Sequence, residues 1–381
     1  MGLFGESNNS FLGIDIGSSS IKVVELKKKK DKVALVTYGF SDRLAENYTD
    51  INKLDIKAIT STIESIVRKA GFSSSHNVVS SLPTYTVFSS IINLSGNLNP
   101  KDLESAIQWE AKKVVPLPLK DIYLGWQKIS GEGLQKKTSF WSDNLSKMKL
   151  TKETAPTTQV SAANKAKSTN KILLIGAPKN LIKSYAYTFK TLKFNLVSLE
   201  TEVFGLIRSL VGNDKATSMI VQIGANSTNI FIVDKGVPVL SRSIDVGGLS
   251  ITKAISRNLN ISLEKAEQFK YDLAASSQGL AMPKMLSDIV APIFNEVKYV
   301  MEVFASKEGY VVEKIILTGG SAMLHGLPDY LANMLNVNVV IGDPWFRIAY
   351  PVEIKPVLEQ IGPRLAVAIG LAMSEFDKEN T

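Results

Sequence analysis

The sequence predicts a two-lobed α/β protein in which a duplicated plan of sheet and helices surrounds a central cleft. A chain of 381 residues is too long for one simple domain, so at least two lobes are expected. Apolar runs of strand length alternate with helical patterns along the chain. The same order of strand, glycine-and-hydroxyl turn and returning strand occurs at 11–26 and again at 219–233. This repeat indicates two related halves whose turns face one another.

The first repeat, at 11–26, carries the most specific chemistry. Its first strand is apolar and ends around Asp15. The turn after it consists of small and hydroxyl residues: Gly17, Ser18, Ser19 and Ser20. Backbone N–H groups and hydroxyls in such a turn suit a phosphate, and the adjacent carboxylate suits the magnesium that accompanies a nucleotide. An ordinary β-hairpin with a serine-rich turn is the alternative interpretation.

The remainder of the first half alternates between strands and helices. Helical periodicity runs over 56–70 and ends at Gly71. A second helix begins at Asn99-Pro100, because Asn is a favourable N-cap and Pro a favourable first helical residue. Pro116 and Pro118 stop that helix, whose predicted apolar face includes Val114. Further strands are predicted at 33–40, 78–82, 86–94 and 171–176, and a further helix at 180–192.

The second half repeats this plan. Strands at 219–223 and 229–233 flank a polar turn, and a third strand at 314–318 leads into a glycine pair. The two turns consist of Gly224, Ala225, Asn226, Ser227 and Thr228, and of Gly319, Gly320 and Ser321. A glycine pair after a strand lets a flat ring or a phosphate approach the backbone. Helices are predicted at 249–259, 263–273, 285–305 and 327–335.

The net charge of +8 is concentrated in one segment. Between 128 and 171 there are nine lysines and three acidic residues, in a stretch rich in Ser, Thr, Asn, Gln and Ala. We interpret about 130–170 as a solvated, disordered insertion, so nucleic acid is not the expected partner. A weak attraction to anionic lipid is the alternative left open.

The composition also excludes several classes of site. With no cysteine, the chain has neither disulfides nor thiolate metal sites, and this agrees with a reducing compartment. The two histidines, His76 and His325, are interpreted as loop residues. No apolar run approaches the roughly 20 residues of a membrane span. The first ten residues lack the pattern of a secretory signal.

Together these motifs resemble the actin-like ATPase superfamily, and within it the PilM family of type IV pilus assembly. The resemblance covers nearly the whole chain except about 130–170. It rests on MGLFG, FLGIDIGSSSIKVVEL, NPKDLESAIQWEAKKVVPLPLKDIYLGWQ, VQIGANSTNIFIV, RSIDVGGLSITKAI, EKAEQFK, ILTGGSAMLHGLPDYL and GPRLAVAIGLAM. The region of Trp109-Glu110-Ala111 and Pro116–Pro118 resembles an extra subdomain, 1C, that this family shares in position with the cell-division protein FtsA. The implied fold is therefore an actin-like ATPase fold with an FtsA-type 1C subdomain.

The resemblance implies a division into subdomains. Subdomain 1A takes 1–81, 177–204 and 361–381; 1C takes 82–176; 2A takes 205–250 and 313–360; and 2B takes 251–312.

The resemblance also implies roles for single residues. The first turn, with Asp15, matches one phosphate loop, the turn from Gly224 to Thr228 the second, and the Gly319 turn the adenosine loop. Glu267 and Lys270 match a pair that contacts ribose and base, with a surface salt bridge as the alternative. Glu202 falls where relatives carry a carboxylate near the attacking water, with a helix-start acid as the alternative. Lys22 is interpreted as an exposed strand residue.

One departure from the superfamily pattern concerns catalysis. The second phosphate loop normally has an Asp two residues before the glycine, whereas this chain has Gln222. An amide does not supply the negative charge that helps to hold magnesium, and phosphoryl transfer depends on metal-based charge neutralisation. Asp245, at a strand end, does not replace it. We expect binding of ATP or ADP, with magnesium held by Asp15 through water and with slow or absent hydrolysis.

The implied partner is the short N-terminal cytoplasmic tail of the membrane protein PilN. We expect that peptide near 78–94 and the helix at 103–115, either along a strand edge or in an apolar groove. A platform role further implies a cytoplasmic protein that is peripheral to the inner membrane and contacts the assembly ATPases.

Two other functions compete with this reading. An FtsA-like membrane adaptor of cell division would usually end in an amphipathic helix, whereas the last residues here, SEFDKENT, are polar and acidic. A small-molecule kinase of the same superfamily would need a catalytic Asp in the cleft, and none is evident beside Gln222.

Overall fold

The structure is a computed structural model that describes residues 10–30, 32–41, 55–73, 77–96, 98–130, 133–134, 169–276, 284–307 and 310–379. His76 and most of the lysine-rich segment, 131–132 and 135–168, lie outside the described residues. The interpretations of His76 and of a disordered insertion therefore stay predictions.

Strands and helices alternate along the described chain. The strands are β1 (Ser10–Ile16), β2 (Ile21–Lys29), β3 (Lys32–Ser41), β4 (Asn77–Leu82), β5 (Phe88–Ser95), β6 (Ile122–Ser130), β7 (Gly133–Leu134), β8 (Thr169–Pro178), β9 (Asn195–Thr201), β10 (Ser218–Ile223), β11 (Thr228–Asp234), β12 (Val237–Ile244), β13 (Lys314–Thr318), β14 (Asn338–Ile341) and β15 (Ile348–Ala349). The helices are α1 (Ile56–Ala70), α2 (Pro100–Val114), α3 (Lys179–Thr191), α4 (Glu202–Leu206), α5 (Gly248–Leu259), α6 (Leu263–Ser276), α7 (Lys284–Ala305), α8 (Leu327–Leu335) and α9 (Lys355–Glu379).

The first sheet has the strand order β15-β3-β2-β1-β4-β9. Strands β1, β2 and β3 form an antiparallel meander, whereas β4 pairs parallel to β1 and β9 parallel to β4. The register of the first hairpin sets Asp15 opposite Lys22 and Ile16 opposite Ile21. The turn from Gly17 to Ser20 is therefore the tip of a tight hairpin, as the sequence predicts.

The second sheet repeats this plan, with the strand order β12-β11-β10-β13-β14. Again three strands form an antiparallel meander, and β13 and β14 extend the sheet in parallel. Here the register sets Gln222 opposite Asn229 and Ile223 opposite Thr228. The predicted duplication is confirmed, because the two sheets share connectivity, strand direction and the position of a polar hairpin turn.

A third, four-stranded sheet has the order β5-β8-β6-β7 and is inserted into the first lobe. Helix α2 covers it, with Ile107 and Ala111 in one buried cluster with Ile172 and Leu174 of β8. The helix starts as predicted, since the Asn99 side chain accepts a hydrogen bond from the backbone N–H of Asp102 at 3.0 Å.

The C-terminal helix α9 joins the two lobes at close range. A Cβ atom at Gly13 would lie 1.9 Å from the Ala368 carbonyl oxygen, and one at Gly370 would lie 1.8 Å from the Gly205 carbonyl oxygen. Glycine is thus required where α9 passes β1 and α4. None of the helices within the described residues is long and apolar enough to cross a membrane.

Most predicted elements agree with the structure within a few residues. The predictions at 56–70 and 327–335 match α1 and α8 fully, and Gly71 ends α1 in the left-handed conformation with φ of 62°. Two details differ. Val114, predicted on the buried face of α2, is 37% exposed, and Ile348 pairs with Val33 in the first sheet although 313–360 was assigned to the second lobe.

Candidate functional site

The turns of the two related sheets open into one cavity of about 540 Å³, a volume typical of ligand sites. Its lining contains most of the predicted site residues: Asp15, Gly17, Ser18, Ser19, Ser20, Glu202, Gly224, Ala225, Ser227, Glu267, Lys270, Gly319, Gly320 and Ser321. Two predicted residues, Asn226 and Thr228, lie outside that lining. Thr228 is fully buried and its hydroxyl donates to the Val246 carbonyl oxygen at 2.7 Å, so it supports the second turn from behind.

The first turn is closed by a hydrogen bond from the Gly17 N–H to the Ser20 carbonyl oxygen at 3.0 Å. Asp15, at its base, is 3% exposed, and the Ser81 hydroxyl lies 3.4 Å from its Oδ1. A Cβ atom at Gly17 would lie 3.0 Å from the Lys22 ammonium nitrogen. The turn therefore brings a buried carboxylate and a lysine to the cavity wall together.

Lys22 is not the exposed strand residue that the sequence predicted. Its side chain is only 15% exposed, it lines the cavity, and its Nζ lies 3.0 Å from Asp15 Oδ2. The register explains this position, because residues directly opposite each other in an antiparallel pair project to the same face. The strict alternation of 21–26 and its cross-strand partner was the signal that could have revealed it.

The second turn repeats the geometry of the first and supports a helix. The Gly224 N–H donates to the Ser227 carbonyl oxygen at 2.9 Å. The N–H groups of Gly248 and Leu249, in the first turn of α5, donate to the carbonyl oxygens of Gly224 and Ala225, both at 2.8 Å. Close packing at this point requires Gly247 and Gly248, which the sequence analysis did not single out.

Between the two turns lies a polar network centred on Glu202. Its Oε2 accepts hydrogen bonds from the Thr84 hydroxyl at 2.7 Å and from Asn229 Nδ2 at 3.0 Å. Asn229 Nδ2 also lies 3.2 Å from Gln222 Oε1. Burial, and secondly the charge of Asp15, raise the pKa of Glu202 from 4.5 to about 7. Glu202 does start helix α4, but its side chain is buried in the cavity wall.

Tyr85 and Arg364 are further cavity residues that sequence reasoning missed. Tyr85 belongs to a short 3₁₀ turn, Thr84–Thr86, next to Glu202. Burial, and to a lesser extent the charges of Glu202 and Asp245, raise the pKa of Tyr85 to about 12. Its hydroxyl therefore keeps its proton at neutral pH. Nothing in the local sequence pattern marks either residue, because folding brings them to the cavity from distant segments.

The far end of the cavity combines a buried lysine with apolar side chains. Lys270 Nζ contacts Glu267 Oε2 at 2.9 Å, the Thr252 hydroxyl at 3.0 Å and the Gly248 carbonyl oxygen at 3.4 Å. The side chain of Lys270 is 8% exposed, so this pair is not a surface salt bridge. The cavity lining here also includes Leu249 and Leu263, which are exposed large apolar residues.

The third turn approaches the same end. Gly319 has a φ of 91°, and a Cβ atom there would lie 2.3 Å from the Ile223 carbonyl oxygen. Its N–H donates to the Pro363 carbonyl oxygen of α9 at 2.9 Å. Only glycine suits this conformation and this approach, so the glycine pair has the structural reason that the sequence suggested.

The donor set of the cavity suits magnesium poorly. Nucleotide sites usually hold this ion through one or two carboxylates together with phosphate oxygens and water. Here Asp15 is paired with Lys22, the second-turn position is the amide of Gln222, and Glu202 is partly protonated at neutral pH. Among the described residues, no group of three or more His, Cys, Asp or Glu side chains is placed to hold a metal. The predicted magnesium contact of Asp15 is not favoured by this arrangement.

Known structures share this architecture. The chain matches a structure described as the PilM-PilN type IV pilus biogenesis complex with a TM-score of 0.73 and 22% identity, over 95% of this chain and 97% of that one. It matches the ethanolamine utilization protein EutJ from Carboxydothermus hydrogenoformans with a TM-score of 0.51 and 14% identity, over 96% and 90%. MreB5 of Spiroplasma citri, solved with AMPPNP bound, gives 0.50 and 11% identity over 98% of both chains. The fold is that of the actin-like ATPases.

Sequence comparison identifies the family. The profile of the family described as type IV pilus assembly protein PilM matches residues 13–139 and 158–376. This chain belongs to that family. FtsA from Rhizobium meliloti is 26% identical over 176 residues, and FtsA from Neisseria meningitidis gives the same identity and length. These two matches cover 40% of this chain and only 38% and 41% of the respective FtsA proteins.

Proposed function

We propose that this protein is a nucleotide-binding scaffold of type IV pilus assembly that binds ATP or ADP in the cavity and turns it over slowly or not at all. The observation that carries the proposal is the convergence of three glycine-containing turns and two buried lysines on one cavity. Turns with free N–H groups and lysine ammonium groups are the donors that phosphates require.

The two hairpin turns would hold the phosphates, since each ends a strand at the cavity wall and offers backbone N–H groups and hydroxyls. The apolar side chains of Leu249 and Leu263, next to Lys270 and the Gly319 turn, would receive the base and ribose. Glu267 and Lys270 would contact the ribose hydroxyls or base edges.

Slow hydrolysis follows from the chemistry of the cavity wall. Gln222 carries no charge, and Glu202 is the residue nearest in type to a general base. Glu202 Oε2 already accepts two hydrogen bonds, and its raised pKa leaves it partly protonated at neutral pH. A site with one free carboxylate and an amide would bind nucleotide without activating water efficiently.

The proposed partner is the N-terminal cytoplasmic tail of PilN, as the complex of the structural relative suggests. The inserted sheet and α2 offer exposed apolar surface for an extended peptide: Trp109 is 63% exposed, Leu117 50% and Val114 37%. Binding such a tail would place the protein at the cytoplasmic face of the inner membrane, next to the assembly ATPases. We also propose the subdomain division 1A, 1C, 2A and 2B given above.

Titration with a fluorescent ATP analogue tests the proposal. We expect saturable binding by the full chain and about tenfold weaker binding by Lys270→Gln, because a buried charge-assisted contact is worth about 1.4 kcal/mol or more. Lys265→Gln, an exposed lysine on the same helix, is the matched control and is expected to bind like wild type. Absence of binding by the folded wild-type protein would contradict the proposed function.

A further inference from the structure

We propose that the ammonium group of Lys22, and not a magnesium ion, is the main charge partner of the nucleotide phosphates in this cavity. This inference rests on the proposed function, because it concerns the same ligand. It specifies that ligand as a nucleoside diphosphate or triphosphate that binds without a divalent cation.

The position of Lys22 carries the first step of the argument. It stands directly opposite Asp15 in the first hairpin, and its Nζ would lie 3.0 Å from a Cβ at Gly17. The ammonium group is therefore folded over the turn that would receive a phosphate. A lysine that served only for solubility would instead extend into water, as Lys27 on the same strand does.

Its hydrogen bonding carries the second step. An ammonium group has three N–H donors. Within the described residues the one contact of Lys22 is with Asp15 Oδ2, although the side chain is only 15% exposed. Two donors are thus available at the cavity wall. The long flexible stem allows Nζ to reach a phosphate oxygen without a change of backbone.

The surrounding charges carry the third step. A phosphate at the first turn would be repelled by Asp15 unless a cation lay between them. Magnesium would normally act in this way with the help of a second carboxylate, but the facing position is Gln222, which lies 3.2 Å from Asn229 Nδ2. Lys22 already lies beside Asp15. It can contact the carboxylate and a phosphate together and so replace the metal.

The test measures affinity for a fluorescent ADP or ATP analogue, once with magnesium and once with excess EDTA. We expect the two dissociation constants of the wild-type protein to agree within about threefold, since the principal cation is part of the chain. We expect Lys22→Gln to weaken binding about tenfold or more in both buffers, while Lys22→Arg retains most of the affinity. Lys27→Gln is the matched control and should not change it. Thermal unfolding confirms that each variant is folded.

Asp15→Asn separates this inference from a conventional magnesium site. If Lys22 binds the phosphates, removing the carboxylate frees the ammonium group, and affinity in EDTA stays equal or increases. If Asp15 holds magnesium, the same substitution weakens binding in magnesium and has little effect in EDTA. Loss of wild-type binding in EDTA together with weakening by Asp15→Asn would overturn the inference while leaving nucleotide binding intact. Absence of wild-type binding in both buffers would overturn the proposed function itself.

Discussion

At the scale of single residues, Glu202 determines how the cavity responds to pH. Its pKa is raised from 4.5 to about 7, first by burial and second by the charge of Asp15. The folded protein therefore holds this proton at pH values where the unfolded chain has lost it. The stabilisation is complete below about pH 4.5 and is lost as the pH rises through about 7.

We accordingly predict that Glu202→Gln raises the free energy of unfolding at pH 8 by on the order of 2 to 3 kcal/mol, at 1.36 kcal/mol per pKa unit. The variant should also show a smaller decrease in stability between pH 5 and pH 8 than the wild type. Urea unfolding at several pH values measures this. Glu64→Gln, an exposed acid on α1, is the control. Equal pH profiles for Glu202→Gln and wild type would show that Glu202 does not titrate in this range.

Gln222 is the second decisive residue, because it occupies the place of a metal-facing carboxylate. Gln222→Asp would put a second negative charge in the cavity and create a site for magnesium. We predict at least about a tenfold rise in magnesium-dependent ATP hydrolysis, since metal-based charge neutralisation is worth several kcal/mol. Gln222→Asn, which shortens the side chain but adds no charge, is the control. Unchanged turnover by a variant that still binds ATP would show that another feature limits hydrolysis.

At the scale of elements, the crossing of α9 and α4 holds the two lobes together. The crossing is close because Gly370 and Gly205 allow the backbones to touch. Arg208, in the π-helical turn Ile207–Val211, adds a hydrogen bond from its Nε to the Gly370 carbonyl oxygen at 2.7 Å and an ion pair with Glu200. Side chains from this segment pack with residues of both sheets in one core.

Gly370→Ala should therefore be strongly destabilising, because its Cβ would lie 1.8 Å from the Gly205 carbonyl oxygen. Forced overpacking of this kind is typically worth about 1 to 3 kcal/mol or more, so we predict a lower urea midpoint by that amount. At Gly176 of β8, a Cβ would make only ordinary contacts of 3.7 to 3.8 Å, so Gly176→Ala is the control. Equal midpoints for both variants would contradict the close crossing.

Helix α2 presents the aromatic residue best placed to contact a partner peptide. Trp109 is 63% exposed, and Lys113 Nζ lies 5.8 Å from its ring centre. We predict that Trp109→Ala weakens binding of the PilN tail about tenfold or more, because exposed aromatic residues dominate such interfaces. Phe346→Ala removes another exposed aromatic residue, far along the chain, and is the control. The stability of both variants should stay near that of wild type, and equal peptide affinities would exclude α2 from the contact.

At the scale of the whole molecule, the sequence predicted those features that local patterns encode. Helix α1 was predicted with its full bounds, because its apolar period is regular and Gly71 ends it. The duplicated hairpins were predicted because each combines alternating strands with a glycine-and-hydroxyl turn. Strand β6 escaped prediction because it buries Gln127 and exposes Trp126, which reverses the usual relation between polarity and burial.

The candidate site was predictable to a similar degree. The turns were found, since their residues are contiguous in sequence. Lys22, Thr84 and Asn229 were missed or misread because their roles arise from strand register and from contacts between distant segments. The contact between Thr84 and Glu202 joins residues 118 positions apart. No local pattern carries that information.

The central claim is that a nucleotide in the cavity supports a surface that binds the PilN tail. The most direct test is a fluorescence-anisotropy titration of the full chain with a labelled N-terminal PilN peptide, with and without ATP. The account predicts saturable binding that ATP tightens, and loss of that effect in Lys270→Gln. If the peptide fails to bind in either condition while ATP itself binds, the chain would still be a nucleotide-binding protein, but the proposed partner would be wrong.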